Sequence, residues 1–223
     1  MTGPAGGNTH GHDHDGYDVD PTHHHPPQPD LEDTPLVRHQ VMQMAVTSLL
    51  VEKGIFSADD MRAQVERMDA LNPSTGARLV ARAWVDHAFG KRLLTDSKAA
   101  AAELGIDIGP IPILVMANTP RTHNLVVCTL CSCYPKFLLG LPPDWYKSRN
   151  YRRRAVREPR RVLAEFGTDL DPDVSIRVHD STADMRYLIL PMRPAGTDGM
   201  SEEDLAGLVT RDALIGVTVP VAT

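Results

Sequence analysis

The sequence is poor in aromatic residues and cysteines, and it contains no long apolar run. Aromatic side chains make up 5% of the 223 residues, and three cysteines are present. An odd number of cysteines excludes a fully paired disulfide framework. No apolar run approaches the roughly 18–20 residues of a membrane span, and the N-terminus lacks the layout of a secretory signal. We therefore expect a protein of the reducing cytoplasm, where clustered cysteines indicate metal binding or catalysis.

An excess of positive charge is also missing. The formal net charge is -6, from 29 acidic and 23 basic residues, which argues against general nucleic-acid binding. The hydrophobic fraction of 42% is that of an ordinary globular protein with a real core. These bounds predict a globular protein that has neither nucleic acid nor a membrane as its partner.

The first 34 residues contain almost nothing to bury. Histidine, aspartate, glycine and proline dominate this segment, which the composition predicts to be disordered. One interpretation is a solvated, tag-like leader. The alternative is loose capture of a divalent metal by the imidazole nitrogens.

Residues 35–105 have a helical pattern. Apolar residues recur at steps of three and four up to Gly54, and Ser57 followed by Asp60 predicts the N-cap of a second helix. We expect these residues to form an extended helical arm that wraps a partner. The predicted helices cover about residues 35–54, 57–71, 75–84, 88–95 and 97–104.

Residues 106–223 have a mixed pattern. Prolines at 110 and 112 predict loop and a short strand, and residues 174–180 and 185–191 predict two strands joined by a short polar turn. Ser201 with Asp204 predicts a capped helix. The expected fold is therefore α+β, with an N-terminal extended helical arm followed by a compact α/β metal-binding domain.

Every cysteine lies in the stretch VVCTLCSCY, residues 126–134, at Cys128, Cys131 and Cys133. With a metal ion, the sulfur of Cys131 and the backbone nitrogen of Ser132 would close a six-membered ring. The two nitrogens of Ser132 and Cys133 would close a five-membered ring, and the nitrogen and sulfur of Cys133 another. Cys128 would then be an axial ligand, which leaves one position open. This hypothesis requires a strong Lewis acid, such as a trivalent transition metal that accepts thiolates.

Three alternatives stand beside this hypothesis. The three cysteines and His123 have the ligand types of a tetrahedral zinc site. Cys128 and Cys131 alone have the spacing of a redox-active pair, which leaves Cys133 unexplained. The third alternative is inert burial of the three thiols.

The stretch VVCTLCSCY, followed by LGLPPDWYKS, closely resembles the metal-binding segment of nitrile hydratase alpha subunits. The resemblance extends over about residues 35–218 and includes YRRRAVREPRRVLAEFG. It implies a low-spin cobalt(III) ion, with iron as the second choice, because Thr129 is typical of the cobalt variant. The implied metal ligands are the sulfurs of Cys128, Cys131 and Cys133 and the backbone nitrogens of Ser132 and Cys133.

The same resemblance implies an activity and a partner. Cys131 would carry a sulfinic acid and Cys133 a sulfenic acid, and both would be catalytic in the hydration of a nitrile to an amide. Two arginines would come from a beta-type subunit. The chain would therefore be active only in a hetero-oligomer that the helical arm helps to hold together.

Two positions depart from the nitrile hydratase pattern. Lys136 stands where the family usually has a pocket tryptophan, and Ala117 stands in place of a glutamate. A cation beside the metal favours an anionic substrate, and on these points the chain resembles the gamma subunit of thiocyanate hydrolase. Nitrile hydration is our first prediction and thiocyanate hydrolysis our second, with bulky nucleoside nitriles as a further possible substrate. A zinc-stabilised interaction subunit without chemistry is the alternative from another class.

Two other features receive structural interpretations. Six arginines lie within residues 152–161, and the interleaved glutamate and proline favour a subunit interface or a solvated helix face over a phosphate site. His87 and His179 stand alone in apolar patterns, so each is interpreted as a structural histidine.

Overall fold

The computed structural model describes residues 36–222, which contain helices and four short strands. This mixture confirms the predicted α+β class. The tail predicted to be disordered, residues 1–34, lies outside the described residues. None of the described helices combines the length and the apolar content that crossing a bilayer requires. In chain order the elements are α1 (Arg38–Glu52), α2 (Ala58–Asp69), α3 (Ser74–Val85), α4 (His87–Thr95), α5 (Ser97–Glu103), β1 (Ile113–Ala117), β2 (Thr122–Val127), α6 (Lys136–Leu139), α7 (Asp144–Lys147), α8 (Arg149–Arg157), α9 (Pro159–Glu165), β3 (Ser175–Asp180), β4 (Arg186–Leu190), α10 (Glu202–Gly207) and α11 (Arg211–Ile215).

The chain divides into two compact units after Ser57. In the first unit, α1 buries none of its residues, and Gly54 follows its end with φ +65°. The second unit begins at α2 and includes α3, α4 and α5, which the sequence assigned to the arm. The predicted boundary at residue 105 does not coincide with this division, and the arm as a functional unit stays a prediction.

Helix α3 brings an apolar face into the core of the second unit. Leu79 and Val80 are fully buried in this helix. Asp86 has extended backbone angles, and its carboxylate accepts hydrogen bonds from the N–H groups of Ala88 and Phe89. The bond from Phe89 is the main reason why the pKa of Asp86 lies below its usual range. Asp86 therefore separates α3 from α4 as an N-cap.

The four strands form two parallel pairs. Strand β2 pairs with β3, from Thr122 opposite Ser175 to Val127 opposite Asp180. Strand β1 pairs with β4 in the same parallel sense. The sequence predicted β3 and β4 as strands joined by a short turn, and the structure shows that this turn connects two different pairs. Strand β2 is buried along most of its length and ends at Val127, so the next residue, Cys128, also lies in the protein interior.

A buried polar network connects three of the strands. The backbone N–H of Asn124 in β2 donates to Asn118 Oδ1, which follows β1, at 2.8 Å. His179 Nε2 in β3 donates to Asn124 Oδ1 at 2.9 Å, and His123 Nε2 donates to the Gly216 carbonyl at 2.7 Å. Burial lowers the pKa of both His123 and His179. These hydrogen bonds support the interpretation of His179 as a structural histidine, and they give His123 a structural role as well.

Five of the few aromatic side chains gather behind the cysteine segment. Their rings meet edge to face, with centroids 4.7 Å apart for Trp145 and Phe166 and 5.2 Å apart for Tyr134 and Tyr146. Such a pair contributes about 0.5–1.5 kcal/mol beyond its buried area. This cluster also contains Tyr151. It packs behind the cysteine segment and contacts it through Tyr146.

Candidate metal centre

The three cysteines converge at the end of β2. Cys128 Sγ lies 3.6 Å from Cys131 Sγ, and Cys131 Sγ lies 3.3 Å from Cys133 Sγ. All three sulfur atoms fall within 4.8 Å of one another, close enough to bind one ion, and none forms a disulfide. Cys128 is buried, whereas Cys131 is exposed and Cys133 is half-buried. The group therefore has an inner, protein-facing thiol and an open, outer side.

Hydrogen bonds to two other elements, and one within the segment, hold the cysteine segment in place. Asp180 at the end of β3 accepts from the Thr129 N–H at 2.9 Å and from the Thr129 hydroxyl at 2.5 Å. Tyr146 in α7 donates its hydroxyl to the Cys133 carbonyl at 2.8 Å. The Cys131 N–H donates to Cys128 Sγ at 3.3 Å, which closes the turn between them. The thiols are thus positioned by tertiary contacts as well as by their spacing.

The environments of the outer thiols push their pKa values apart. Hydrogen bonds from Cys133 and Cys128 lower the pKa of Cys131, and the backbone N–H groups of Ser132 and Cys133 act in the same direction. Burial raises the pKa of Cys133 to about 12, and hydrogen bonding with Cys131 adds to this rise. Of the two outer thiols, Cys131 therefore loses its proton more readily, and removing the Cys133 proton near neutral pH needs a strong positive charge at the centre.

The cysteines open into a cleft of about 340 Å³. Cys131, Ser132 and Cys133 form one wall, and Lys136 at the start of α6 and Arg186 at the start of β4 also line the cleft. Lys136 is exposed, with its Nζ 5.5 Å from the centre of the neighbouring Phe137 ring. Arg186 is half-buried, and its charge acts to lower the pKa of Cys133. A small molecule in this cleft therefore meets thiols and two cations. Apolar side chains that complete the lining include Ile108, Ile111, Ile113, Phe137 and Pro142.

The structure brings together the residues that the sequence singled out, with one exception. Ser132 and Lys136 line the same cleft as the outer cysteines. His123, the fourth ligand of the zinc alternative, is absent from the possible metal-binding group found in residues 36–222. Its Nε2 instead faces the Gly216 carbonyl, and its Nδ1 lies 3.3 Å from Asn118 Nδ2.

Three residues of the site had no signal in the sequence. Arg186, Asp180 and Tyr146 lie far from the cysteines along the chain or belong to ordinary patterns. Asp180 arrives through the pairing of β2 with β3, and Arg186 stands at the first position of β4, opposite the first residue of β1. The roles of Asp180 and Arg186 become visible only when the pairing of the strands is known, and that of Tyr146 only when α7 is placed against the cysteine segment.

Comparisons with known proteins agree on one family. The family model described as nitrile hydratase, alpha chain, matches residues 38–218. The low-molecular weight cobalt-containing nitrile hydratase subunit alpha of Rhodococcus rhodochrous is 55% identical over 179 residues, which cover 79% of this chain and 86% of the relative. The thiocyanate hydrolase subunit gamma of Thiobacillus thioparus is 47% identical over 193 residues, which cover 81% of this chain and 79% of the relative.

Solved structures give the same result. A recombinant thiocyanate hydrolase comprising partially modified cobalt centres has a TM-score of 0.78 at 44% identity, and the match covers 85% of this chain and 95% of that one. A double mutant of the Fe-type nitrile hydratase from Comamonas testosteroni Ni1 has a TM-score of 0.74 at 41% identity, and the match covers 83% and 93%. Proteins named for nitriles and for thiocyanate, and for iron and for cobalt, therefore share this fold.

Proposed function

The chain belongs to the nitrile hydratase alpha-chain family, and we propose that it is the metal-bearing subunit of a cobalt enzyme that hydrates a nitrile to the corresponding amide. The observation that carries this proposal is the convergence of three free thiols within 4.8 Å at the wall of an open cleft. The enzyme class is that of the relatives, hydro-lyases that act together with partner subunits.

The proposed ligands are the sulfurs of Cys128, Cys131 and Cys133 and the backbone nitrogens of Ser132 and Cys133. The N–H groups of Ser132 and Cys133 both lower the pKa of Cys131, so both nitrogens lie close to its sulfur, and each would have to lose its proton to bind the metal. When bound, a trivalent cobalt ion supplies the Lewis acidity that polarises a nitrile or acidifies a water. Cobalt is proposed over iron because of Thr129 and because several relatives are named cobalt-containing.

The chain's own residues have distinct roles in this reaction. Cys131 as a sulfinic acid and Cys133 as a sulfenic acid present oxygen atoms to the cleft. The Cys133 oxygen would either add to the nitrile carbon, with a water restoring the oxygen on Cys133 and supplying both amide hydrogens, or accept a proton from a water that adds to that carbon. Either route consumes one water for each amide formed. Tyr146 holds the Cys133 carbonyl, which fixes the direction of this attack.

A beta-type subunit completes the site in this proposal. Oxidised cysteines carry charge that is costly to bury without cationic donors, and two arginines of the partner would supply them. The apolar residues of α1, among them Val41, Met44 and Leu49, are exposed in the described structure, as expected of an arm that clasps a partner. We expect the hetero-oligomer in the cytoplasm, where cysteines are not driven into disulfides.

Thiocyanate hydrolysis is the second candidate, and one observation favours it. Lys136 and Arg186 both line the cleft, so two cations face the substrate. Their combined charge favours an anion over a neutral nitrile. The similarity to the thiocyanate hydrolase subunit gamma points in the same direction.

The test is to purify the complex of this chain with its beta-type subunit, analyse its metal and cysteine oxidation, and assay small nitriles and thiocyanate side by side. We expect one cobalt per chain and amide formation. Turnover of thiocyanate alone would establish the second candidate. Zinc with three unoxidised cysteines would refute both and favour the interaction subunit.

A matched pair of variants tests the pocket. Lys136→Trp should shift the ratio of kcat/KM toward neutral substrates, because it removes a cation from the cleft. Lys147→Trp is the control, since Lys147 pairs with Asp144 at 2.8 Å and does not line the cleft. An unchanged ratio in Lys136→Trp would mean that Lys136 does not contact the substrate.

A further inference from the structure

A second and larger groove lies beside the cysteine segment. Its volume is about 840 Å³, and Thr129 and Leu130 of the cysteine segment meet the helix α8 there. The arginines on its wall are Arg149, Arg152, Arg153 and Arg157. This basic groove is separate from the cleft that the metal site faces, because the two share no lining residue.

The positive charge of the basic groove is not neutralised within the described residues 58–222. Helix α8 contains five arginines and no acidic residue. One of them, Arg154, is paired with Glu158 and Glu165 outside the groove. No ion pair involves the four arginines of the groove in this part of the chain, and Asp180, whose side chain approaches from β3, is bound to Thr129.

One of these arginines also has an unsatisfied donor. Arg152 Nε is buried without a hydrogen-bond partner, and Arg152 Nη1 reaches the Thr129 carbonyl only at 3.5 Å. A buried donor without an acceptor costs about 1–3 kcal/mol. A partner in the groove would instead offer acceptors to the guanidinium groups on its wall, none of which is ion-paired within residues 58–222.

Exposed aliphatic side chains indicate what kind of molecule fits. Leu130, at the tip of the cysteine segment, has 83% of its surface exposed, and Val156 of α8 is also exposed. Arginines around apolar residues are typical of protein interfaces, whereas a small anion gains nothing from an exposed leucine. Nucleic acid is disfavoured by the net charge of -6. The complementary ligand is a protein segment with carboxylates on either side of an apolar side chain.

We propose that the basic groove receives a carboxylate-bearing segment of the beta-type subunit, which covers Leu130 and holds the cysteine segment against α8. This inference rests on the proposed function in one respect, namely that such a subunit binds the chain. Leu130 and Thr129 lie between Cys128 and Cys131, so the partner that fills this groove also restrains the segment that carries the thiols. Metal retention and subunit binding are then linked through the four residues 128–131.

The test measures binding of the full chain to its beta-type subunit at several salt concentrations. The double charge reversal Arg153→Glu and Arg157→Glu should raise Kd about tenfold or more at low salt and should flatten its salt dependence. Arg161→Glu is the matched control, because Arg161 belongs to the same arginine run but lies outside the groove. It should stay within about twofold of the wild type. Circular dichroism and metal content verify that each variant is folded.

A photo-cross-linker at position 153 identifies the occupant directly. We expect it to capture a beta-subunit peptide that contains Asp or Glu. Cross-linking to nucleic acid, or to a peptide without a carboxylate, would overturn the inference. Wild-type Kd and salt dependence in the double variant would do the same, even in a complex that turns over its substrate. If the groove variants weaken binding but the complex hydrates no nitrile and hydrolyses no thiocyanate, the proposed function falls and this inference stands.

Discussion

The hydroxyl of Tyr146 is the most direct link between the aromatic cluster and the thiols. Tyr146 is fully buried and donates to the Cys133 carbonyl at 2.8 Å. Its ring packs edge to face on Tyr134 and Trp145. Tyr146→Phe keeps the ring and these contacts and removes a single oxygen atom, so its effect isolates the hydrogen bond.

The expected loss is about 1–2 kcal/mol in the free energy of unfolding. A net hydrogen bond contributes about 0.5–1.5 kcal/mol, and leaving the Cys133 carbonyl without its donor adds to the cost. For a chain of this size, each kcal/mol lowers the melting temperature by about 2–4 °C. Burial raises the pKa of Tyr146 far above neutrality, so the hydroxyl stays protonated and the loss should be the same at pH 6 and pH 9.

The assay is thermal unfolding of the metal-loaded complex, together with the rate at which a chelator removes the metal. Tyr187→Phe is the control, because the Tyr187 hydroxyl makes no hydrogen bond within residues 36–222 and the substitution keeps the ring that packs beside His179 and the core. We expect Tyr146→Phe to melt earlier and lose metal faster, and Tyr187→Phe to behave as the wild type. Equal melting temperatures and metal-loss rates in the two variants would refute the role of this bond.

Three further predictions concern the surroundings of the site. In a double-mutant cycle, Asp180→Ala and Thr129→Val should couple by about 0.5–1 kcal/mol, because the carboxylate accepts the Thr129 hydroxyl that Thr129→Val removes; strictly additive losses would contradict this. Burial lowers the pKa of His123 in the folded chain, so the unfolded chain takes up the proton first as the pH falls. Below about pH 6.5 the free energy of unfolding should therefore decrease, by up to roughly 1.4 kcal/mol per pH unit. His123→Gln should make that pH profile flatter, and an unchanged slope would rule His123 out as its source. Gly216→Ala should abolish soluble expression, since its Cβ would lie 2.1 Å from a carbonyl oxygen of β2. Gly199→Ala is the control and should be milder, because its Cβ meets no atom within 4 Å. Equal yields of the two variants would show that the chain can relax around residue 216.

The helices before residue 105, and α10, were predictable because their signals are local. The predicted helices at about 57–71, 75–84, 88–95 and 97–104 correspond to α2 through α5. The predicted cap of α10 is confirmed, since the Ser201 hydroxyl accepts from the Asp204 N–H at 3.1 Å. Periodicity and capping act within one or two turns, so they can be recognised in the sequence without knowledge of the fold.

The strand partners and part of the cleft were not predictable in this way. Parallel pairing joins segments that are far apart in the sequence, and nothing in β3 or β4 specifies which earlier strand each will meet. The thiols and Lys136 could be identified because they are close neighbours along the chain. Arg186 could not, because it reaches the cleft only through the pairing of β4 with β1.

The parallel pairing of β2 with β3 also imposes an order on biosynthesis. Val127, the last residue before the thiols, acquires its strand partner only when Asp180 has been made, and Gly216, which accepts the His123 bond, is made later still. Contacts between such distant segments form late in folding. While the ribosome is still extending the chain, the cysteine segment therefore has neither its strand partner nor its Asp180 clamp. The folded site is therefore available to a metal ion only after nearly the whole chain has been translated.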